Sequence, residues 1–358
     1  YYGTVVLHST KGRGAVSSPL GRFAKRPVDL DEQEAHEQAR VAPETVLRAT
    51  SVRRIISTND SPDIPFDQSI NPYQGCEHGC VYCYARPSHS YLDLSPGIDF
   101  ETQIFYKPDA ATALLAEWEK QSYVCKPIML GANTDPYQPA EKSLQITRNL
   151  LEQFLEYRHP VSIVTKSHLV ARDLDLLEEL ARLDLCSVAI SVPTMDDELK
   201  RIMEPRVPSA SARLTAMRRL VNHGVPTSAL LAPVIPAIND HEIESILEAV
   251  ADAGAARAHY IFLRLPHELT DIFSDWLESH FPQRRNRVLS LVREACGGRS
   301  YDSRFGARQT GRGAYAEMIG SRFRKTSRRL GIEPGEYARA LDCGKFVKPG
   351  ACQLGIDF

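Results

Sequence analysis

Short apolar runs alternate with amphipathic stretches along most of this 358-residue chain, and this alternation restricts the possible folds more than any other feature. The runs are PIMLGANT, VSIVTKS, SVAISV, TSALLAPVI and HYIFLRL, beginning at positions 127, 161, 187, 227 and 259. The stretches between them, such as SLQITRNLLEQFLEY, repeat apolar residues every three or four positions, which is typical of helices that bury one face. Strands that are apolar throughout are buried on both faces. The pattern therefore predicts a parallel sheet covered by helices.

The number of repeating units decides which parallel fold is expected. With a strand that ends near residues 69–71, the chain contains six β/α units. A closed TIM barrel needs eight units, and after about Phe281 the chain turns helical and basic. We therefore predict an α/β fold in which residues 69–283 form a partial, TIM-like (β/α)6 barrel. Residues 1–68 are an N-terminal extension, and residues 284–358 are a basic C-terminal region.

Composition and charge exclude some classes of protein and favour one kind of partner. The chain is 43% hydrophobic and 25% charged, and no apolar run approaches the roughly 18 residues that a membrane span requires. These features indicate a cytoplasmic protein without a membrane partner. Residues 284–348 hold 16 Lys or Arg against 6 Asp or Glu, so this stretch carries a net charge of +10. Such a basic end favours a polyanionic partner, the alternative being an Arg-rich solvated helix face.

Three of the eight cysteines lie close together in NPYQGCEHGCVYCYARP, residues 71–87. They are Cys76, Cys80 and Cys83, and the next cysteine is Cys125. Structural zinc normally takes four protein ligands, and His78 and His89 are candidates to complete such a site. Three thiolates also suit a 4Fe-4S cluster with one iron left open, since these clusters otherwise take four cysteines. The loop follows the first predicted strand, at the barrel end where such folds carry their active sites.

The cysteine spacing, the aromatic residue that follows it and the six β/α units together resemble the radical S-adenosylmethionine (SAM) superfamily. The resemblance implies a 4Fe-4S cluster on Cys76, Cys80 and Cys83, with SAM bound to the open iron. It implies an enzyme that cleaves SAM to a 5′-deoxyadenosyl radical, which abstracts a hydrogen atom. It also implies an electron donor such as flavodoxin or ferredoxin.

Longer stretches narrow the resemblance to one branch of that superfamily. SPDIPFDQSINPYQGCEHGCVYCY, GANTDPYQPAEK, MEPRVPSASARL and RLPHEL are similar to enzymes related to spore photoproduct lyase, often labelled DNA repair photolyases. This implies a lyase-like or DNA-modifying enzyme, and Tyr84 matches a tyrosine implicated there in hydrogen transfer. Ala132 and Asn133 stand where that lyase has its hydrogen-donating cysteine. Cys125 precedes the second strand, so we expect it at the other barrel end as a small buried residue. Repair of a different lesion, or modification of another nucleic acid, remains open.

Polar side chains follow several predicted strands at the barrel end that also carries the cysteines. We predict catalytic roles for Tyr84 and Tyr137. The residues predicted to bind the cofactor are Thr134, Asp135, Thr165, Lys166, Ser167, Ser191 and Arg206. Each residue taken singly fits a structural role, as a helix cap or a loop contact, nearly as well. As a set at one rim they indicate a binding site.

The last six residues, QLGIDF, resemble the short peptide with which bacterial repair and replication proteins bind the sliding clamp. In that interpretation Gln353 forms hydrogen bonds with the clamp, while Leu354, Ile356 and Phe358 enter apolar pockets. The alternative is a terminal strand packed on the body of the protein. Upstream, RRNR and RFGARQTGRG combine Arg with Gly and aromatic residues, which is consistent with phosphate binding or with an ordinary helix surface.

Three functions are compatible with these features. The first is a radical SAM enzyme that acts on nucleic acid, with DNA as the expected substrate. The second is a radical SAM enzyme that modifies a peptide or a small molecule; such enzymes often carry extra cysteine clusters, whereas Cys186, Cys296, Cys343 and Cys352 are scattered. The third is a non-catalytic iron-sulfur or zinc protein that binds nucleic acid. Cleavage of SAM distinguishes the third from the other two.

Overall fold

The structure, a computed structural model, describes residues 10–23, 44–335 and 341–350. Its strands are β1 Val46–Ala49, β2 Ser57–Thr58, β3 Gln68–Ile70, β4 Tyr73–Gln74, β5 Gln103–Tyr106, β6 Ile128–Leu130, β7 Val161–Thr165, β8 Cys186–Ser191, β9 Thr227–Val234, β10 Arg257–Phe262 and β11 Glu333–Pro334. Its α-helices are α1 Asp99–Thr102, α2 Ala110–Trp118, α3 Glu141–Leu144, α4 Ile146–Glu156, α5 Leu174–Arg182, α6 Asp197–Met203, α7 Ala210–Asn222, α8 Ile243–Asp252, α9 Leu269–His280, α10 Pro282–Ala295 and α11 Gly313–Arg329. Short 3-10 helices span Arg86–Leu92, His168–Asp173, Asp240–Glu242 and Cys343–Lys345.

The central sheet has eight strands in the order β11-β10-β9-β8-β7-β6-β3-β2. All neighbours from β11 to β3 pair in parallel, and only β2 runs antiparallel to its neighbour. The six predicted strands are β3 and β6 to β10, side by side in chain order. Among the described residues, no ladder joins the two ends of this sheet. The prediction of an α/β fold with an incomplete barrel is therefore confirmed.

The sequence patterns account for how the strands and helices are buried. Every residue of β8 is buried, as expected for a strand covered by helices on one side and filling the barrel on the other. Helix α4 buries Ile146, Leu150, Leu151 and Phe154 and exposes its charged face. A second, three-stranded sheet of β1, β5 and β4 lies beside the start of the barrel. Because β4 belongs to this small sheet, the chain leaves the barrel after β3 and returns at β6.

The basic C-terminal region packs on the barrel and spans its open side. The backbone N–H of Phe262, at the end of β10, donates to Gln309 O at 2.7 Å. The side chain of Gln309 in turn donates to Asp63 O at 2.6 Å, in the loop before β3. Helix α11 pairs with α8 through Arg322 and Glu244, and through Arg329 and Glu248. The predicted boundary between residues 283 and 284 falls within the first turn of α10.

Residues 341–350 cross the amino-terminal end of the barrel. Phe346 packs edge-on against Trp118 and His159, with ring centroids 5.6 and 4.9 Å apart. Cys125 lies there too, at the end expected from the sequence, but it is a half-buried neighbour of Cys343 rather than a fully buried residue. Burial and the Cys343 thiol both raise the pKa of Cys125. Gln353, Leu354, Ile356 and Phe358 lie outside the described residues.

No helix in the described ranges combines the length and the apolar character that crossing a bilayer requires.

Candidate active site

The cysteine loop, residues 75–83, turns tightly at two glycines. Gly75 and Gly79 have φ angles of 80° and 67°, in the left-handed region that favours glycine. A Cβ atom would lie 2.9 Å from Gln103 O at Gly75 and 2.7 Å from Glu101 Oε2 at Gly79. Both positions therefore require glycine for space as well as for conformation. Backbone hydrogen bonds within the loop, from Gly79 N to Cys76 O and from Cys83 N to Cys80 O, tighten it further.

A buried ion pair anchors this loop to the rest of the protein. Arg86 and Glu101 are both fully buried and pair at 2.5 Å. Arg86 also donates to Cys80 O at 2.9 Å, while the Glu101 carboxylate accepts from the backbone of Gly14 and Ala15 at 3.0 and 2.8 Å. The N-terminal segment 10–23 is thereby fastened onto the cysteine loop. Sequence reasoning missed Arg86, whose only signal was its place three residues after Cys83.

One cavity of about 180 Å³ brings the cysteine loop together with the carboxyl ends of β6 to β10. Its lining includes Cys76, His78, Cys80, Tyr82, Cys83, Tyr84, Ala132, Asn133, Asp135, Thr165, Lys166, Ser191, Ala232, Phe262 and Arg264. Burial raises the pKa of all three cysteine thiols. A buried thiolate needs a neighbouring cation, and a bound metal supplies one as it displaces the proton.

The zinc alternative finds little support in the geometry. Among the described residues, no three His, Cys, Asp or Glu side chains form a group that could hold a single metal ion. His89 Nε2 lies 3.0 Å from Gln103 O, and its ring packs edge-on against Phe100. His78 faces Asp135, with Nδ1 and Oδ2 3.3 Å apart. Each histidine thus has one nitrogen near a polar partner, although His89 Nδ1 is buried without a hydrogen-bond partner among the described residues.

Asp135 organises the rim between β6 and β7. Its carboxylate accepts hydrogen bonds from Thr165 Oγ1 and from the backbone of Lys166, both at 2.7 Å, and from the backbone of Tyr137 at 2.9 Å. Burial alone would raise the pKa of Asp135, but His78 and these hydrogen bonds hold it below its ordinary value. The group is therefore a carboxylate at neutral pH, and it fixes the ends of two strands relative to each other.

Lys166 brings a positive charge into the same cavity. Its Nζ donates to Ser191 Oγ at 2.7 Å and lies 3.8 Å from the fully buried carboxylate of Glu204. Glu204 also pairs with the buried Arg213 at 2.5 Å and accepts from the Tyr82 hydroxyl. Burial would raise the pKa of Glu204, but Arg213 and Lys166 keep it below its usual value. This network holds Lys166 and the end of β8 in place.

The fold and the site together match a known family. A family model described as "Radical SAM superfamily" matches residues 70–250, about half of the chain, and this range includes the cysteine loop and the strands that form the cavity. The chain belongs to the radical SAM superfamily. It is accordingly a radical SAM enzyme, whose cofactors are a 4Fe-4S cluster and SAM.

Several other proteins resemble this chain over more than half of its length. An uncharacterized protein of Mycobacterium tuberculosis is 36% identical over 232 residues, which is 64% of this chain and 68% of that protein. An uncharacterized protein of Methanocaldococcus jannaschii is 28% identical over 214 residues, which is 60% of this chain and 76% of that protein. Among solved structures, a mutant of spore photoproduct lyase matches with a TM-score of 0.58 and 16% identity over 88% of each chain. The lyase complexed with dinucleoside spore photoproduct matches with a TM-score of 0.57, also at 16% identity, over 80% of this chain and 81% of that one. At this identity the likeness concerns the fold.

The predicted site residues of this radical SAM enzyme divide into two groups. Five of them line the cavity: Tyr84, Asp135, Thr165, Lys166 and Ser191. Four others have separate contacts. Thr134 donates to Tyr73 O at 2.7 Å, Ser167 caps the 3-10 helix through Leu169 N, and Arg206 pairs with Glu77 at 3.2 Å. Tyr137 is fully buried behind the rim, with the Arg172 guanidinium 5.9 Å from its ring centre.

Two cavity residues that sequence reasoning did not single out are Tyr82 and Arg264. Tyr82 lies inside the cysteine motif, and the Lys166 ammonium is 5.5 Å from its ring centre. Arg264 follows β10 in the quoted stretch RLPHEL, so its position after a strand was the available signal. Tyr84 connects two sides of the cavity, because its hydroxyl donates to Ala132 O while its ring lies 5.5 Å from the Arg264 guanidinium.

Proposed function

We propose that this radical SAM enzyme abstracts a hydrogen atom from a nucleic-acid substrate, with a DNA lesion as the expected target. One observation carries the proposal: three thiols on one loop, two of them buried and the third partly buried, line the same cavity as the polar carboxyl ends of the barrel strands. The likeness in fold to spore photoproduct lyase, which has been solved with a dinucleoside spore photoproduct and with AdoMet, supports the choice of substrate class. Because the proposed substrate is DNA, a cytoplasmic location is part of the same proposal.

Cys76, Cys80 and Cys83 are the proposed ligands of the 4Fe-4S cluster. The donor set fits, because the described residues that line the cavity include these three thiols and no fourth cysteine. Three thiolates leave one iron without a protein ligand. When bound, the cluster supplies the electron that cleaves SAM and yields the 5′-deoxyadenosyl radical. The chain itself holds the three ligands in register through the two glycine turns and the Arg86–Glu101 pair.

Asp135, Thr165, Lys166 and Ser191 are the proposed SAM-binding residues within the cavity. Lys166 presents an ammonium group, and Ser191 a hydroxyl, at the ends of neighbouring strands. Such donors suit the carboxylate and ribose oxygens of SAM. Asp135 acts on them through Thr165 and the backbone of Lys166, so we assign it the role of positioning that strand end. Thr134, Ser167 and Arg206 have no such place in the proposal, since each is engaged outside the cavity.

Tyr84 is the proposed hydrogen-transfer residue. Its ring lines the cavity, and its hydroxyl donates to Ala132 O. Ala132 and Asn133 occupy the strand end where the related lyase has a cysteine, and neither carries a thiol. We therefore propose a reaction that differs from that of the lyase in how the hydrogen atom is returned. We do not assign this role to Tyr137, because it is fully buried and does not line the cavity.

Two further partners belong to the proposal. An electron donor such as flavodoxin or ferredoxin would reduce the cluster. A bacterial sliding clamp would bind QLGIDF, through Gln353, Leu354, Ile356 and Phe358. The support for the clamp is the sequence pattern together with the proposed repair function.

Anaerobic reconstitution with iron, sulfide and SAM tests the function directly. The enzyme is incubated with undamaged DNA and with oligonucleotides that carry defined lesions, and both 5′-deoxyadenosine and altered nucleotides are measured. We expect one lesion to yield 5′-deoxyadenosine and altered nucleotides together, and a Cys80→Ala variant to yield neither. Turnover with peptides or small molecules, and none with any DNA, would favour the second candidate function and refute the first.

A further inference from the structure

Arg264 lies at the mouth of the cavity between two aromatic rings. It follows β10, and its guanidinium carbon lies 5.5 Å from the ring centre of Tyr84 and 5.7 Å from that of Tyr301. Its Nη2 donates to the Tyr301 hydroxyl at 3.1 Å. Tyr84 is 46% exposed, so this end of the cavity meets solvent. The guanidinium thus lies close to both rings at the solvent end of the cavity.

The charge of Arg264 has no acidic counterpart in the described part of the chain. Its Nε is buried and without a hydrogen-bond partner among the described residues. No carboxylate in those ranges lies within ion-pair distance of it, whereas Lys166, the other Lys or Arg in the lining, lies 3.8 Å from Glu204. Arg264 as a whole is partly buried, but a buried N–H group without an acceptor is unfavourable. An anion from outside the chain would satisfy this N–H and the unpaired positive charge.

We propose that Arg264 is the anchor for a phosphate group of the substrate. Nε and the adjacent Nη form the fork that pairs with two oxygens of a phosphate. The contacts with Tyr84 and Tyr301 restrict the motion of the guanidinium, which reduces the entropy lost on binding. This inference rests on the proposed nucleic-acid substrate and adds to it the residue that fixes the backbone beside the reacting nucleotide.

The carboxylate of SAM is the other oxyanion that enters this cavity. Lys166 and Ser191 already offer donors for it at the ends of β7 and β8, in the middle of the sheet and separated from β10 by β9. Tyr301, by contrast, belongs to the C-terminal region outside the barrel, so Arg264 is placed toward the exterior. We therefore assign the Arg264 anion to the substrate rather than to the cofactor.

The test compares Arg264→Gln and Arg264→Lys with wild-type holoenzyme, and uses Arg257→Gln as a matched control. Arg257 begins the strand that Arg264 follows, and it pairs with Glu333 at the other barrel end. Affinities for a single-stranded oligonucleotide are measured at several salt concentrations, and SAM affinity by equilibrium dialysis. We expect Arg264→Gln to weaken DNA binding at least tenfold, and to reduce the slope of log affinity against log salt by about 1. Arg264→Lys should keep most of the slope but lose affinity, because it keeps the charge and lacks the fork.

The remaining outcomes separate the inference from the proposed function. A tenfold loss of SAM affinity with unchanged DNA binding would assign Arg264 to the cofactor and overturn the inference. If both variants keep the wild-type affinities for DNA and for SAM, Arg264 only holds the two tyrosines in position, and the inference is overturned. If wild-type enzyme binds no DNA but binds inorganic pyrophosphate in an Arg264-dependent manner, the anion site stands and the nucleic-acid substrate is refuted.

Discussion

Arg308 pairs with Asp63, 245 residues earlier in the chain, through two hydrogen bonds of 2.8 and 2.5 Å. Both side chains are nearly buried, at 12% and 11% exposure. The pair joins the basic C-terminal region to the loop before β3, beside the contact that Gln309 makes with the same loop. A residue in the predicted phosphate-binding stretch is thus engaged within the molecule, and it closes the open side of the barrel.

Breaking this pair should destabilise the fold. Burial alone would raise the pKa of Asp63, but Arg308 and the backbone of Gly306 hold it below the ordinary value of 3.8. The contribution of the ionised Asp63 to the stability of the fold is therefore complete above that pH, and it is lost as the pH falls through the lowered pKa of Asp63. We expect Asp63→Asn to lower the free energy of unfolding by about 1–3 kcal/mol at pH 7. Urea denaturation should show this difference shrinking below pH 4.

A double-mutant cycle with Arg308→Gln separates the pair from other effects. Once Asp63 is Asn, Arg308→Gln should lower the free energy of unfolding only slightly further. Arg304→Gln is the control at an exposed arginine, since the Arg304 side chain is 60% exposed. Additive losses in the cycle would mean that the two residues contribute independently. A reduced salt dependence of DNA binding in Arg308→Gln would return this arginine to the phosphate-binding surface.

Replacing Cys80 by Ala should remove the cluster and SAM cleavage together. Two thiolates do not replace three, and among the described residues no fourth cysteine lines the cavity. The measurements are the visible absorbance of the cluster, the iron content and the formation of 5′-deoxyadenosine. Cys186→Ala is the matched control, because Cys186 is equally buried but lies in β8 and bonds to Leu177 O. Retention of both properties in Cys80→Ala would contradict the proposed ligand set.

Lys166→Met should weaken SAM binding while leaving the cluster intact. The substitution keeps the aliphatic stem and removes the ammonium that contacts Ser191 and faces Glu204. Loss of one charged hydrogen bond to the cofactor predicts a decrease in SAM affinity of roughly tenfold or more. Lys126→Met is a suitable control, because Lys126 pairs with Asp67 on the surface before β6. Unchanged SAM affinity in Lys166→Met would limit this lysine to holding β8 and Glu204.

A peptide ending in QLGIDF should bind a bacterial sliding clamp weakly. Short peptides of this kind bind in the micromolar range, which corresponds to about −8 kcal/mol. Changing Gln353 and Phe358 to Ala should abolish binding, while SAM cleavage by the full chain stays unchanged. Fluorescence anisotropy with the labelled peptide measures the first effect. Unfolding of the full-length double variant would instead indicate that these residues pack on the protein itself.

The order of strands and helices could be predicted because it depends on local periodicity. The run VSIVTKS became β7, and SLQITRNLLEQFLEY became α3 and α4, since their apolar spacing matches the burial of those elements. The cysteine loop was equally accessible, because three ligands within eight residues form a local property of the chain. Neither inference required knowledge of distant contacts.

The direction of each rim side chain depended on the tertiary structure. Asp135 and Lys166 line the cavity, whereas their neighbours Thr134 and Ser167 hold loop backbone. These residues lie where the chain bends after a strand, so strand alternation does not fix the direction of their side chains. Sequence position placed all four at the same strand ends and could not separate them. The same holds for Arg206, whose guanidinium reaches Glu77 rather than the cavity.

Contacts between distant segments were likewise beyond the sequence. The sequence by itself determined two things: the cysteine spacing brings three thiols together, and the apolar periodicity gives the β/α framework that carries them. The tertiary structure decided three long-range contacts. Arg308 pairs with Asp63, Cys125 lies beside Cys343, and Arg264 lies between Tyr84 and Tyr301. Each joins parts of the chain whose separation is set by how the sheet curves and where the C-terminal region docks. Such long-range distances are the sum of many packing interactions, and no local pattern contains them.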